Sequence, residues 1–425
     1  MGASGGKKNN KKLQTYKLLV YTKKHELFII GKNMNYTPNS NRTHIAIFGR
    51  RNVGKSSIIN AIANQDVAIV SDTAGTTTDP VKKAIEINKI GACTIVDTAG
   101  FDDEGELGEL RIKRTKKIME STDIALLVFD ANFNDYLLEL KWKNELTNLE
   151  IPVVAVLNKI DLNNNYKQIE QNIKDIFDLE TVSISANNKI NIDKLIEAIK
   201  LTIPKTEEIS ITGHIIKEDD IVMLVMPQDI QAPKGRLILP QVQTIRDILD
   251  NRAIIIASTF DKLENALKAL SKAPKVIITD SQVFKEVERL KPKESLLTSF
   301  SVLFARYKGN EEVYKRGAEF IESLTRESKI LIAESCTHIP LEGDIGRVKI
   351  PNLLKKKFGF EFDIDYAAGT DFPEDLSKYD LVIHCGGCRG SRKHILNRIR
   401  ICEEQNVPIT NYGMTIAKIN GVKYI

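Results

Sequence analysis

Short runs of aliphatic and β-branched residues recur along the chain from residue 43 onward, separated by stretches whose apolar positions repeat at helical spacing. Through about Pro204 the runs are HIAIFG from His44, CTIVDTAG from Cys93, IALLVFD from Ile124, PVVAVLNK from Pro152 and TVSISA from Thr181. Such alternation predicts βαβ units on a parallel sheet covered on both faces. From about Glu207 to Glu288 the strand-like runs are IVMLVMP, GRLILP, AIIIAST and KVIITD, with VQTIRDILD and KLENALKAL as helices between them. From about Lys291 to Ile425 a third set follows: KILIAESC, FDIDYAAG, YDLVIHCGG and VPITNYG. The pattern divides the chain at 34–205, 206–290 and 291–425 into three α/β domains behind a leader of 33 residues.

Composition narrows the class. At 425 residues the chain exceeds one comfortable core, so several domains are expected. With 42% hydrophobic and 28% charged residues it is ordinary globular material. Its longest apolar runs fall short of the roughly 18 residues a membrane span requires, so no membrane partner is expected. Five cysteines are too few for a secreted disulfide scaffold and point to a reducing, cytoplasmic setting. The net charge of +5 is not spread evenly: residues 1–33 hold eight lysines and one acid, +7, which leaves the remainder at −2. The leader lacks a continuous apolar segment and any arginine, so neither a secretory signal nor a transit peptide is expected. It reads as an extension or disordered tail, with the working protein starting near Met34. The near-neutral body offers no phosphate-binding stripe, and nucleic acid is not an expected partner.

Five motifs in the first domain carry chemistry. GRRNVGKS, Gly49 to Ser56, follows a strand-like run and opens a helix-like one, which is the context a phosphate loop needs. Gly49 and Gly54 let backbone N–H groups wrap phosphates, with Asn52, Val53 and Ser57 in the same cradle. Lys55 reaches the terminal phosphates and Ser56 offers a hydroxyl to Mg²⁺. DTAG puts Asp97 near the metal and the Gly100 N–H near the terminal phosphate. NKID supplies Asn158, Lys159 and Asp161, whose carboxylate accepts from a guanine edge and rejects adenine by leaving polar groups unpaired. SISA places Ser185 and Ala186 where a backbone donor to the guanine carbonyl belongs. In AGTTTDP, Thr76 and Thr77 sit in a loop able to order around Mg²⁺ and the terminal phosphate. The nucleotide is therefore GTP, and Lys55, Thr77 and Gly100 are expected to be catalytic.

Arg50, Arg51 and Asn52 before VGKS, together with AGTTTD and DTAGF, resemble the translation-factor class of GTPases, which includes tRNA-modification and ribosome-assembly enzymes. Phe101 stands where Ras-like enzymes keep a water-positioning glutamine. The resemblance implies that Asn52 helps hold a K⁺ ion and that hydrolysis is K⁺-stimulated. Glu104, Glu106 and Glu109 follow DTAG and can orient water, Glu109 being the one expected to act; a solvated acidic loop is the plainer alternative.

Three cysteines fall in the last domain, as Cys336-Thr-His338 and His384-Cys385-Gly-Gly-Cys388. Both groups leave the carboxyl ends of apolar runs, the edge of an open α/β sheet where ligand sites form. Zinc in a Cys₃His site and a [4Fe–4S] cluster on three cysteines, with His338 or His384 at the remaining iron, both fit the spacing. Cys93 and Cys402 read as core residues.

The combination of this GTPase domain, APKGRLILPQVQTIRDILD from Ala232, and C-x-H followed by H-C-x-x-C resembles the [FeFe]-hydrogenase maturation GTPases over Met34 to Ile425. DIGRVKIP from Asp344, GTDFPEDL from Gly369 and ITNYGM from Ile409 share the likeness. The resemblance implies a GTPase domain, a dimerisation domain at 206–290 and a domain at 291–425 that binds a [4Fe–4S] cluster through Cys336, Cys385 and Cys388. It further implies a homodimeric scaffold that receives a diiron precursor made with two radical-SAM maturases and delivers it to the apo [FeFe]-hydrogenase. The rival readings are an RNA-binding or ribosome- or tRNA-related assembly GTPase and a zinc-stabilised regulatory GTPase.

Overall fold

The computed structural model describes residues 37–63, 68–73, 82–88, 90–98, 115–204, 209–227, 237–335, 344–369, 371–387 and 390–421. The first domain is built on a seven-stranded sheet of order β2-β3-β4-β1-β5-β6-β7. Its strands are β1 (Thr43–Phe48), β2 (Ala68–Thr73), β3 (Lys82–Ile87), β4 (Gly91–Asp97), β5 (Ile124–Asp130), β6 (Val153–Asn158) and β7 (Thr181–Ser183). β3 runs antiparallel to both β2 and β4, and the remaining pairs are parallel. Because successive strand residues point to opposite faces, one strand feeds two cores. Ile45 and Ile47 join α1 (Lys55–Ala63) and α5 (Ile192–Thr202) on one face. Ala46 and Phe48 join the other face with α2 (residues 115–119), α3 (Leu137–Asn148) and α4 (Tyr166–Phe177). Phe129 and Phe177 meet there edge to face at 4.9 Å, a geometry worth about 1 kcal/mol beyond burial.

The middle domain has a four-stranded, all-parallel sheet of order β11-β10-β8-β9. Its strands are β8 (Ile221–Val225), β9 (Ile254–Ser258), β10 (Val276–Thr279) and β11 (Leu296–Ser299). Its helices are α6 (Leu239–Asp250), α7 (Leu263–Lys268), α8 (Phe284–Leu290) and α9 (Phe300–Lys308). Two sequence expectations change here. The described part of GRLILP, Leu237–Pro240, is not a strand: Leu239 and Pro240 open α6, where proline's missing N–H costs no helical hydrogen bond. The boundary also moves from 290 to about residue 309, because β11 pairs with β10 and α9 buries Phe300, Leu303 and Phe304 in the middle core.

α9 also packs the third domain, through Val302 and Ala305. That domain repeats the parallel plan in the order β13-β12-β14-β15, with β12 (Lys329–Ala333), β13 (Asp363–Ala367), β14 (Leu381–His384) and β15 (Ile409–Asn411). α10 (Glu311–Phe320), α11 (Ile350–Phe358), α12 (Arg392–Glu404) and α13 (Tyr412–Ile419) cover it. α10 lies close on β15 because Gly317 carries no side chain, and a Cβ there would strike the Ile409 backbone. α12 is joined to the first domain by Asn397 Nδ2 donating to Glu120 O at 2.6 Å and Lys393 Nζ to Leu149 O at 3.0 Å. Beside them Lys117 pairs with Asp371 at 2.8 Å. Among the described residues no helix is long and apolar enough to cross a membrane.

Candidate functional site

The nucleotide site stands at the carboxyl edge of the first sheet. Gly49 follows β1, Asp97 ends β4, Asn158 ends β6 and Ser185 lies just past β7. Ser56 Oγ donates to Asp97 Oδ2 at 2.6 Å, so the two expected Mg²⁺ ligands meet although 41 residues separate them. Lys55 is buried, and its Nζ donates to the carbonyls of Gly49 and Arg50 at 2.9 and 2.8 Å. The loop is anchored from outside: Arg50 Nε donates to the buried Glu139 of α3 at 2.8 Å, and its guanidinium covers the Phe133 ring at 4.5 Å.

Asn158 ties three motifs together. Its Nδ2 donates to Val53 O at 2.9 Å and its Oδ1 accepts from Ala186 N at 3.1 Å. Gly54 is required where Asn158 passes, since its φ is +99° and a Cβ would collide with Nδ2. Asn52 takes φ 59° and is exposed. Lys159 also adopts a left-handed backbone and pairs with Asp130 at 2.6 Å, which turns the chain into the 3₁₀ turn Ile160–Leu162 carrying an exposed Asp161. Ser185 is fully buried and its Oγ accepts from Asn188 N at 3.2 Å. Ser57 is half-buried in α1. Thr76, Thr77, Gly100, Phe101, Glu104, Glu106 and Glu109 lie outside the described residues. A cavity of about 730 Å³ lines the β7 edge between α4 and α5, away from the phosphate loop.

A second constellation stands at the carboxyl edge of the third sheet. β12 and β14 are neighbours with Ala333 opposite His384, so Glu334, Ser335 and Cys385 leave the sheet side by side. Cys385 is partly exposed, and its sulfur accepts from Ser335 N at 3.0 Å. His384 is fully buried, with Nε2 2.9 Å from Arg398 Nη1 and Nδ1 2.5 Å from Cys385 O. Arginine can only donate, so Nε2 is the acceptor and Nδ1 carries the hydrogen. Burial and the neighbouring Arg398 hold the His384 pKa well below its ordinary value. With both nitrogens turned to protein atoms, His384 acts in this arrangement as a structural residue rather than a metal ligand. Glu334 is buried, and its carboxylate takes the Arg347 guanidinium at 3.2 and 3.0 Å.

Cys336, His338 and Cys388 lie outside the described residues, and among the described ones no three His, Cys, Asp or Glu side chains converge on a metal. Of the three cysteines Cys385 alone is described, and its surroundings fit a thiolate ligand. A backbone N–H stabilises the Cys385 sulfur, and Gly387 adopts φ +59° where a Cβ would meet Ile395. Gly386, by contrast, faces open space, so the loop can wrap a bulky ligand. Cys93 and Cys402 are buried core thiols, each pushed up to about 12 chiefly by burial.

Sequence reasoning missed Arg398, Lys308, Glu139 and the Glu334–Arg347 pair. The one available signal was Arg398 standing among Ile395, Ile399 and Cys402 on the apolar face of α12.

These elements define a P-loop GTPase domain joined to two further α/β domains. Family models agree along the chain: a 50S ribosome-binding GTPase model matches residues 44–159, the hydrogen maturase F dimerization domain matches 211–309, and the hydrogen maturase F tetramerization domain matches 312–423. The chain belongs to the hydrogen maturase F family. Its GTPase domain is 35% identical over 170 residues to GTPase Der of Sulfurimonas denitrificans, covering 38% of this chain and 34% of that protein. It is 41% identical over 120 residues to the tRNA modification GTPase MnmE of Chromobacterium violaceum, covering 28% and 26%. The chain thus spans about a third of the length of the curated relatives it matches. Among solved structures, Era of Aquifex aeolicus bound to GDP and AlF4⁻ aligns at TM-score 0.33 and 22% identity, over 60% of this chain and 99% of that one. A probable GTP-binding protein engB aligns at 0.32 and 21%, over 38% and 98%.

Replacing Asn158 by Ala removes the tie between phosphate loop, NKID and SISA. Its loss is expected to cost about 1–3 kcal/mol of nucleotide binding, roughly 5- to 150-fold in GDP affinity. Titration with a fluorescent GDP analogue reads it, and unchanged affinity would show that the tie does not shape the site.

Proposed function

We propose that this chain is a GTP-hydrolysing scaffold for maturation of an [FeFe]-hydrogenase. It holds a [4Fe–4S] cluster in its third domain and passes a diiron precursor, made with two radical-SAM maturases, to the apo-hydrogenase. The observation that carries this reading is the pairing of β12 with β14, which brings Ser335, the residue before Cys336 in sequence, and Cys385 out at one edge in a chain of this family. Cys336, Cys385 and Cys388 are the thiolate ligands in this reading. His338 is preferred to His384 for the remaining iron, because both His384 nitrogens already face protein atoms. When bound, such a cluster supplies an iron with an exchangeable ligand position, where a precursor is held and released.

In the GTPase domain Lys55 exchanges its loop carbonyls for phosphate oxygens. Ser56 and Asp97 hold Mg²⁺, and the Gly100 N–H and Thr77 order around the terminal phosphate. Asn52, exposed on the loop, contributes to a K⁺ site, and Glu109 orients the attacking water. Turnover switches partner affinity rather than driving iron chemistry. The contact between α2, which follows the DTAG loop, and α12 of the third domain supports a mechanical route for that switch. The chain acts as a homodimer in the cytoplasm, paired along the β9 edge. Among the described residues β9 has one sheet neighbour; its Ile254 is exposed, as are Val242 and Leu249 of α6.

Anaerobic reconstitution is expected to yield a brown protein with iron and sulfide in near-equal amounts; a colourless protein holding zinc would overturn the scaffold reading. GTP turnover is expected to be faster in K⁺ than in Na⁺ buffer at equal ionic strength, and equal rates would remove the K⁺ site. Ile254→Lys with Leu249→Lys sets like charges against each other at the β9 edge, so sedimentation is expected to show dissociation; an unshifted dimer would place the interface elsewhere.

A further inference from the structure

Two buried cations close on the loop that carries Cys385. Lys308, the last residue of α9, is 2% exposed, and its Nζ donates to Gly387 O at 2.9 Å and Gly390 O at 3.1 Å. It belongs to the helix shared with the middle domain, so that domain reaches directly into the cysteine loop. Arg398 of α12 is also 2% exposed. It donates from Nη1 to Glu334 O at 3.3 Å and to His384 Nε2 at 2.9 Å, and from Nη2 to Gly369 O. Its Nε is buried with no hydrogen-bond partner among the described residues.

Carbonyl and imidazole acceptors satisfy hydrogen bonds but do not neutralise charge, and a buried charge costs several kcal/mol unless something answers it. Glu334 lends Arg398 only its backbone oxygen, because its carboxylate holds Arg347. Arg398 also lies over the Phe372 ring at 4.9 Å and in the field of the Glu120 carboxylate, so its charge is answered in part there and otherwise faces the end of β14, where Cys385 begins the cysteine loop. A cluster held by three thiolates is anionic in both oxidation states, since the thiolates outweigh the charge of the iron–sulfide core.

We propose that Lys308 and Arg398 are positioning residues for that cluster: they clamp the two strand-end loops in ligating shape and set positive charge beside an anionic group. The inference rests on the cluster reading above. Buried cations favour the more negative, reduced state, and so raise the reduction potential. Fixed outer partners also slow the loss of metal.

The test uses the full chain carrying Lys308→Met, Arg398→Met, Lys308→Arg or Arg398→Lys, with GTP turnover and thermal melting as folding controls. After anaerobic reconstitution the methionine variants are expected to show a midpoint potential more negative than wild type. Their iron is expected to pass to a chelator on the order of 10-fold faster. Arg398→Lys keeps the charge and loses the planar fork, so its potential is expected to stay near wild type. Wild-type potential and iron release in the methionine variants overturn the proposal, as does a shift in Arg398→Lys as large as in Arg398→Met. Amide exchange at Cys385 and Gly390 in the apo chain reads the clamp without a cluster. Faster exchange is expected in the methionine variants and in Arg398→Lys, which carries this arm where a methionine variant does not fold. Unchanged exchange overturns the clamp. A wild-type chain that binds zinc and no iron defeats the cluster reading, and the exchange rates then decide the clamp by themselves.

Discussion

A parallel sheet sends the carboxyl ends of its strands to one edge, and both sites of this protein depend on that constraint. In the first domain β1, β4 and β6 deliver the phosphate loop, Asp97 and Asn158 to the same rim. In the third, β12 and β14 deliver Glu334, Ser335 and Cys385. Neither set is close in sequence: 41 residues separate Ser56 from Asp97, and 50 separate Ser335 from Cys385. Register does the assembling. A slip of one residue in the β12–β14 pair would turn every side chain of the moved strand to the opposite face, carrying apolar core residues out and His384 with them.

The cost of such sites appears in what they bury. Lys55, Glu139, Lys308, Glu334, His384 and Arg398 are all buried, and each is held by named acceptors or donors. Residues of this kind add little net stability, because desolvation offsets the attraction they gain, yet removing one partner leaves the other exposed to the full penalty. Their value is geometric. Glu139 fixes Arg50 and with it the outer wall of the phosphate loop, as Arg398 fixes the two strand ends around Cys385.

Much of this was legible in the sequence, for a physical reason. A phosphate loop is a local device: its glycines, lysine and hydroxyl sit within eight residues, and flanking runs announce the strand and helix. The apolar runs likewise named most strands correctly, because parallel strands buried on both faces must be apolar throughout. Where the pattern failed, it was short or mixed. LLTS is only four residues long, and its assignment to the middle sheet depends on pairing with β10, which local sequence does not encode. GRLILP has the composition of a strand, but the proline that ends it serves α6 as a helix start. His384 stood with His338 as a candidate for the remaining iron; only the tertiary position of Arg398, fourteen residues on, shows that its ring is already engaged.

The position of α12 joins the two sites. Within one turn of that helix Asn397 holds the Glu120 carbonyl at the end of α2, and Arg398 holds His384 and the end of β12. Neighbouring helix residues point about 100° apart, so one rigid element touches the GTPase domain with one side chain and the cysteine edge with the next. α2 follows the DTAG loop, the segment that responds to the terminal phosphate in GTPases of this architecture. A displacement of α2 cannot be absorbed at Glu120 alone, because Lys117–Asp371 and Lys393–Leu149 anchor the same interface. It must either break those contacts or carry α12 with it, and α12 cannot move without disturbing the buried Arg398. Packed interfaces of this kind favour two discrete arrangements over continuous drift, which is what the proposed switch in partner affinity requires.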